Sequence, residues 1–359
     1  MSEVASPERP QSKIFDVLPC AYFREAVETF ARAVAQVGIS REILLRIAGI
    51  KFRLRFAGEA AVPLILPSLA HLVVADDAPI DWTINCWDDT TTRSAMPMPT
   101  PWIRTNQRRN CLYNVSNQRF RAFYQEWMET FTFIDRQDCE AYCCYLNAAQ
   151  LPMYEKAAPM RQIFNTALNL RGRQIVHAAA LGSSRGSLLL AGAPRSGKST
   201  LAVQCLFQGM DYQSDDLCVI SEDDPPMSWS LYNVAKLRED SVVSVGADVP
   251  LTYFVEGMER KFFFHVDQVL PKRILKEAPI KAVVLPRITH EPVSRLTSAT
   301  RLEAMRAIIP WSVSEVPTSD NLGEKIMLKA ISQLPAYTLH LGCDEKQTFT
   351  LLRSLIDES

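Results

Sequence analysis

Residues Gly192, Ala193, Pro194, Arg195, Ser196, Gly197, Lys198, Ser199 and Thr200 form an uninterrupted G-x-x-x-x-G-K-[ST] phosphate loop. The chemistry of such a loop is the binding of a nucleoside triphosphate. Its glycines allow backbone conformations that turn successive N–H groups toward phosphate oxygens, its lysine reaches the β- and γ-phosphates, and its last hydroxyl ligates Mg²⁺. Here those roles fall to Lys198 and Ser199. Further along, Asp215 and Asp216 stand together before the apolar Leu217-Cys218-Val219-Ile220. Phosphoryl transfer requires metal-assisted charge neutralisation and a group that orients the attacking hydroxyl and takes its proton. Adjacent carboxylates opening a strand would point to opposite faces and could divide these tasks. The other reading of the pair is a solvated turn with a capping aspartate. His177, at the head of Ala178-Ala179-Ala180-Leu181, reads by itself as a structural strand histidine.

The elements around the loop are those it needs. Ser187 to Ala191 is a short apolar run suited to a buried strand, and Leu201 to Phe207 continues as a helix that Gly209 can stop. A helix beginning at the loop brings its positive dipole end to the same site. Before it, Ile175 to Leu181 reads as one apolar strand and Gly182 to Gly186 as a tight turn, a hairpin spacing rather than a crossover. The sheet is therefore expected to be mixed, not an ordinary doubly wound one. Pro159 suits the first turn of a helix running to about Leu170, with Gly172 as its stop. Ala282 to Leu285 and Tyr337 to Leu341 read as strands, and Glu345 to Ile356 as a helix.

In the N-terminal part, Ile50, Phe52, Leu54 and Phe56 alternate with Lys51, Arg53 and Arg55, the pattern of a half-exposed strand. Val62 to Val74 has the length of a buried helix despite Pro63 and Pro67, and Trp82, Ile84 and Cys86 alternate as a second strand. Met96 to Pro101 reads as a connection or an edge. Arg104, Arg108, Arg109, Arg119 and Arg121 among aromatic residues suggest either a docking surface for a peptide or phosphate-bearing partner, or a solvated face backed by core aromatics. Leu151 to Lys156 reads as the joint. The expectation is an α/β chain: an α+β domain over 1–155, for substrate or partner recognition, and a phosphate-loop domain with a mixed sheet over 156–359.

The chain has 359 residues, 47% of them hydrophobic, enough for about two domains with buried cores. A net charge of −1 lacks the basic excess of a nucleic-acid or membrane-surface protein. Nine cysteines at irregular spacing speak against a fully paired secreted framework. Cys139, Cys143 and Cys144 could be metal ligands, but no second Cys/His pair stands at zinc spacing, and small buried apolar residues are the simpler reading. Met1 to Lys13 has no apolar signal core and no run is long enough to span a bilayer, so a cytoplasmic protein is expected.

His177 with its following small apolar strand, Gly192 to Thr200, and Gly209 through Asp215-Asp216 together resemble the HPr kinase/phosphorylase family, whose phosphate loop is of the phosphoenolpyruvate-carboxykinase type. The resemblance covers about Arg161 to Ser221. It implies ATP and Mg²⁺, with Lys198 and Ser199 on phosphates and metal, Asp215 in the metal shell, Asp216 taking the acceptor proton, and His177 supporting the acceptor carboxylate or the transferring phosphate. The Glu-x-Arg-Gly segment that follows the Asp pair in the bifunctional enzymes is missing, as is their C-terminal signature for phosphorolysis. Trp229 to Arg238 stands there instead, and Lys236 or Arg238 is either a replacement cation or a surface one. The chain thus looks more like kinase-only relatives, some of which phosphorylate a serine of lasso-peptide precursors. The implied partner is a peptide or protein serine, with homo-oligomerisation open. A small-molecule hydroxyl kinase, an ATPase driving a partner and a non-catalytic ATP sensor are the alternatives.

Overall fold

The computed structural model describes residues 11–96, 107–108, 110–239, 242, 249–256, 259–289, 291–316 and 321–357. The chain is α/β with mixed sheets and divides into two compact units. The first comprises Met1–Ile43, Arg53–Pro63 and Ile80–Leu151, and the second Leu44–Phe52, Leu64–Pro79 and Pro152–Ser359. Against the division expected from chain order, two earlier segments belong with the phosphate-loop half.

The N-terminal elements are helix α1 (Gln11–Val37), strands β1 (Ile39–Ile47) and β2 (Ile50–Ala57), a single turn α2 (Val62–Ile65), β3 (Trp82–Asp88), α3 (Asp89–Thr92), β4 (Gln107–Arg108), β5 (Cys111–Leu112), β6 (Phe120–Gln125), β7 (Thr130–Asp135) and β8 (Glu140–Tyr145). The strands form one sheet in the order β1-β2-β3-β8-β7-β6-β5-β4, with β3 and β8 parallel. Ala26, Phe30 and Ala33 of α1 recur at helical spacing and bury one stripe against Trp87, Phe131, Phe133 and Tyr142. Cys86, Cys143 and Cys144 are buried in this sheet and Cys139 partly so; all nine cysteines are free thiols. Among the described residues no three His, Cys, Asp or Glu side chains gather as a metal cage.

Two expectations are corrected here. The Val62–Val74 segment is not one α-helix: after α2 it tightens into a 3₁₀-helix, Leu66–Leu72, with Pro67 in its first turn. Lys51 is not on a half-exposed face. It is 2% exposed, its Nζ donating to Asp76 O (2.5 Å), Asp76 Oδ1 (2.9 Å) and Ala78 O (2.8 Å). Of the arginine segment, Arg104 and Arg109 lie outside the described residues. Arg119 is engaged by Asp135 and Asp138, and Arg121 is buried with a bond to Phe120 O.

The second unit contains α4 (Met153–Ala157), α5 (Arg161–Asn169), β9 (Arg173–His177), β10 (Ala179–Ser183), β11 (Gly186–Leu190), α6 (Lys198–Phe207), β12 (Asp211–Ser214), β13 (Leu217–Ser221), β14 (Met227–Trp229) and β15 (Val234–Arg238). There follow β16 (Thr252–Glu256), β17 (Glu259–His265), α7 (Val266–Val269), β18 (Glu277–Ile288), β19 (Arg295–Ala299), α8 (Arg301–Glu315), α9 (Leu322–Ser332), β20 (Ala336–Leu341) and α10 (Glu345–Asp357). Its main sheet has nine strands, ordered β12-β10-β11-β18-β14-β13-β9, with β20 on β18 and β19 on β20. β11 and β20 run parallel to β18, whereas β10 and β11 form an antiparallel hairpin.

Period-two side chains sort the core into two layers. Ala178, Ala180, Leu189 and Ala191 face one way, onto Ala304 and Ile308 of α8 and Met327 and Ile331 of α9. Ala179, Leu181, Leu188 and Leu190 face the other way, onto Leu201 and Cys205 of α6 and Leu352 and Ile356 of α10. The expected single strand over Ile175–Leu181 is two: the chain breaks at Ala178, so β9 pairs with β13 while β10 pairs with β11 and β12. A small antiparallel sheet, β15-β17-β16, packs Ala235, Leu237 and Phe264 against Val203 and Leu206 of α6. Among the described residues no helix is long and apolar enough to cross a membrane.

Candidate active site

The loop leaves the C-terminal end of buried β11 and enters α6 at Lys198. Gly192 and Gly197 have φ of 153° and 96°, where L side chains are disfavoured. At Gly192 a Cβ would also come within 3.0 Å of Ser196 Oγ. Arg195 adopts φ 69° without being glycine, so the loop is turned back on itself at three residues. Lys198 Nζ lies inside this turn and donates to Gly192 O (2.8 Å) and Ala193 O (3.1 Å). Burial lowers its pKa, opposed by Asp216 and Asp215.

Asp215 and Asp216 do not open a strand. They occupy the bend between β12, which pairs with β10, and β13, which pairs with β14 and β9. The bend lets both carboxylates turn toward the loop, where a continuous strand would send them to opposite faces. Asp215 is buried: the Tyr212 hydroxyl lies 3.2 Å from Oδ1, and the Lys236 N–H donates to Oδ2 at 2.7 Å. Ser199 Oγ donates to Asp215 O at 3.4 Å, which ties the helix start to the bend. Burial raises the Asp215 carboxyl to about 6, with Lys236 working against it and Asp216 with it.

Asp216 sits between two bases. Its Oδ2 is 2.5 Å from Lys236 Nζ, and its Oδ1 is 3.2 Å from His177 Nδ1, at ion-pair distance but outside hydrogen-bond alignment. Burial acts to raise this carboxyl, but the Lys236 ammonium and then His177 outweigh it and hold the group well below the usual range. The Lys236 ammonium is raised in turn: burial is opposed by Asp216 and Asp215, and they prevail. His177 reaches this position because it pairs with Leu217 across β9 and β13, next to Asp216. The backbone N–H of His177 donates to Ser312 Oγ of α8 at 2.9 Å, and that hydroxyl donates its own proton to Ile308 O. α8 starts at a capping box of Thr300 and Glu303, which fixes the helix that holds Ser312.

All of this opens on one cleft of about 510 Å³ within the second unit. Its wall includes His177, Pro194, Arg195, Gly197, Lys198, Ser199, Thr200, Asp215 and Asp216 from the sequence reading. Gly192, Ala193 and Ser196 shape the loop but are not on the wall. Lys236 and Arg238, left open between replacement cation and surface cation, are both wall residues. Arg161, Phe254, Lys261 and Glu315, which no motif singles out, also line the cleft. Arg161 Nη2 reaches the buried Glu155 (3.3 Å), six residues before it, and Nη1 reaches Glu315 (3.6 Å), far away in the chain.

No protein-family model matches the chain, and no curated protein matches it in sequence. Among the solved structures similar to this chain is a bacterial enzyme. It is the HPr(Ser) kinase/phosphatase from Coxiella burnetii, 12% identical, covering 52% of this chain and 95% of its own, with a TM-score of 0.26. At that level the likeness assigns no residue, and the roles below rest on the geometry of the cleft.

The residues present suit a magnesium–triphosphate. Mg²⁺ takes hard oxygen ligands, typically one or two carboxylates with substrate phosphates and water, so the absence of a three-residue cage among the described residues is compatible with it. A carboxylate oxygen has two lone-pair directions, so Asp215, with one donor against each oxygen, keeps acceptor capacity. The two carbonyls now on Lys198 are neutral acceptors that a phosphate can replace.

Proposed function

We propose that this chain is a Mg²⁺-dependent, ATP-using phosphotransferase that moves the γ-phosphoryl group to a hydroxyl, namely a serine of a peptide or protein. The observation that carries this reading is the meeting, in one cleft, of the loop lysine Lys198 with the carboxylate pair Asp215-Asp216. Phosphate binding alone needs the first; hydroxyl activation needs the second.

In this reading Lys198 and the loop N–H groups bind the phosphates, and Ser199 and Asp215 would hold Mg²⁺, which neutralises charge on the phosphate oxygens. Asp216 accepts the hydroxyl proton as the new O–P bond forms and the bond from γ-phosphorus to the bridging oxygen breaks, releasing ADP. His177 positions Asp216. The nine free cysteines support a reducing, cytoplasmic setting, and the residues at Trp229 to Arg238 support transfer without the reverse, phosphorolytic reaction.

Mass spectrometry of reactions containing Mg²⁺, ATP and, separately, serine peptides, free serine and no acceptor tests the reading. A phosphoserine peptide is expected. A phosphorylated amino acid or sugar as the sole efficient product removes the peptide acceptor but keeps the kinase. Hydrolysis alone makes the protein an ATPase, and unconsumed ATP contradicts phosphotransfer altogether.

A further inference from the structure

Lys236 holds both carboxylates of the pair at once, its backbone N–H on Asp215 Oδ2 and its ammonium on Asp216 Oδ2. The two attachments differ in kind. The backbone bond belongs to a strand fixed on its other side by β17, where Lys236 pairs with Phe263, so the residue cannot leave the pair. The ammonium is at the end of a flexible stem, on the wall of a cleft that also contains Lys198, Ser199 and Gly197. An anion entering that cleft meets a lysine anchored by its backbone, with its ammonium on one carboxylate.

Accepting the phosphotransfer reading above, we infer that Lys236 is a further catalytic residue that exchanges partners. Without nucleotide its ammonium neutralises Asp216; with a triphosphate in the cleft it moves to the terminal phosphate. The exchange has two consequences. Lys236 adds positive charge where the transferring group sits, and Asp216 loses its cation only when there is a phosphoryl group to transfer. A base covered by an ammonium is a poor proton acceptor, so Asp216 becomes available to an acceptor hydroxyl only once the triphosphate is in the cleft.

A binding cycle on the full chain separates this from a static strut. Titration calorimetry with Mg²⁺ and either ADP or the non-hydrolysable β,γ-imido triphosphate reads the contribution of the terminal phosphate. Lys236→Met should weaken the triphosphate about 10- to 100-fold, the range for a charge-assisted hydrogen bond, with ADP changed by about twofold or less. Lys236→Arg should retain most of the preference. Asp216→Asn should tighten the triphosphate by about threefold to tenfold, because the ammonium no longer has to leave a carboxylate, and this gain should vanish when Lys236→Met is present. An unchanged triphosphate-to-diphosphate ratio in Lys236→Met overturns the exchange. So does an Asp216→Asn gain that survives in the double variant, since it would then be general repulsion relieved. If Lys236→Met does not melt cooperatively, Lys236→Gln takes its place in the same cycle. Absence of any nucleotide binding by the wild type would instead overturn the phosphotransfer reading on which the exchange rests.

Discussion

Two ammonium groups in the second unit, buried Lys51 and half-buried Lys236, have a carboxylate neighbour and yet differ in what surrounds them. The Lys51 ammonium donates to oxygens of Asp76 and Ala78, two of them backbone carbonyls. It is not among the residues that line the large cleft. Lys236 has one carboxylate on its ammonium and a cleft beside it. Lys198 is intermediate, held by two carbonyls of the loop it belongs to. The lesson is that burial and charge do not mark a functional lysine; partners that a ligand can replace do. Lys51 is a strut, and the two cleft lysines are poised to change partners.

The comparison breaks most visibly at Lys198. Lys198→Ala is expected to abolish phosphoryl transfer and weaken nucleotide binding by about 10²-fold or more, with stability within about 1 kcal/mol of wild type, measured by calorimetry and denaturant unfolding. A large loss of stability with binding retained would make it another Lys51. Next in size, Asp216→Asn should lower transfer by roughly 10² to 10⁴ while nucleotide still binds, since a general base is lost and the phosphate ligands remain. Unaltered single-turnover rates in that variant would remove Asp216 from the chemistry.

Lys51→Met should behave in the opposite way. The loss of three hydrogen bonds in a buried site should cost about 2–4 kcal/mol in urea unfolding, and nucleotide affinity should hold within about twofold. A Lys51→Met protein as stable as wild type would mean that the three oxygens find other donors at no cost.

The last effect, confined to acid pH, concerns His71, in the same segment as Asp76, Leu64–Pro79. Its Nε2 is 2.9 Å from Ser230 Oγ, and burial, then the nearby Lys276, lower its pKa to about 3. The folded state therefore resists a proton that the unfolded chain takes up near pH 6.5. His71 contributes no penalty above about pH 6.5; below it, stability should fall by up to about 1.4 kcal/mol per pH unit toward pH 3. His71→Gln should flatten that part of the stability profile, and an unchanged slope would show that other groups carry it.

What was legible in the sequence was local. The phosphate loop carries its own spacing, and β2, β3, β20 and α10 follow from the side-chain pattern within a few residues, whereas only the apolar middle of β18 was legible. What was not legible depends on pairing between distant segments. The break at Ala178 has no glycine or proline to mark it; it exists because β9 and β10 join different neighbours in one sheet. The carboxylate pair was recognisable, but the bend that turns both aspartates to one side arises from β12 and β13 diverging. Lys51 sits in an alternating pattern that signals solvent exposure, and its bonds to Asp76 and Ala78, from a separate segment, go with its burial. Arg161 with Glu315 was invisible for the same reason.

Titration of Mg²⁺–ATP into the wild-type chain and into Lys198→Ala is the most direct test of the central claim, that this cleft is a triphosphate site. The account predicts saturable one-to-one binding that disappears, or weakens by about 10²-fold, in the variant. Equal binding by both proteins, or no binding by the wild type, would contradict it.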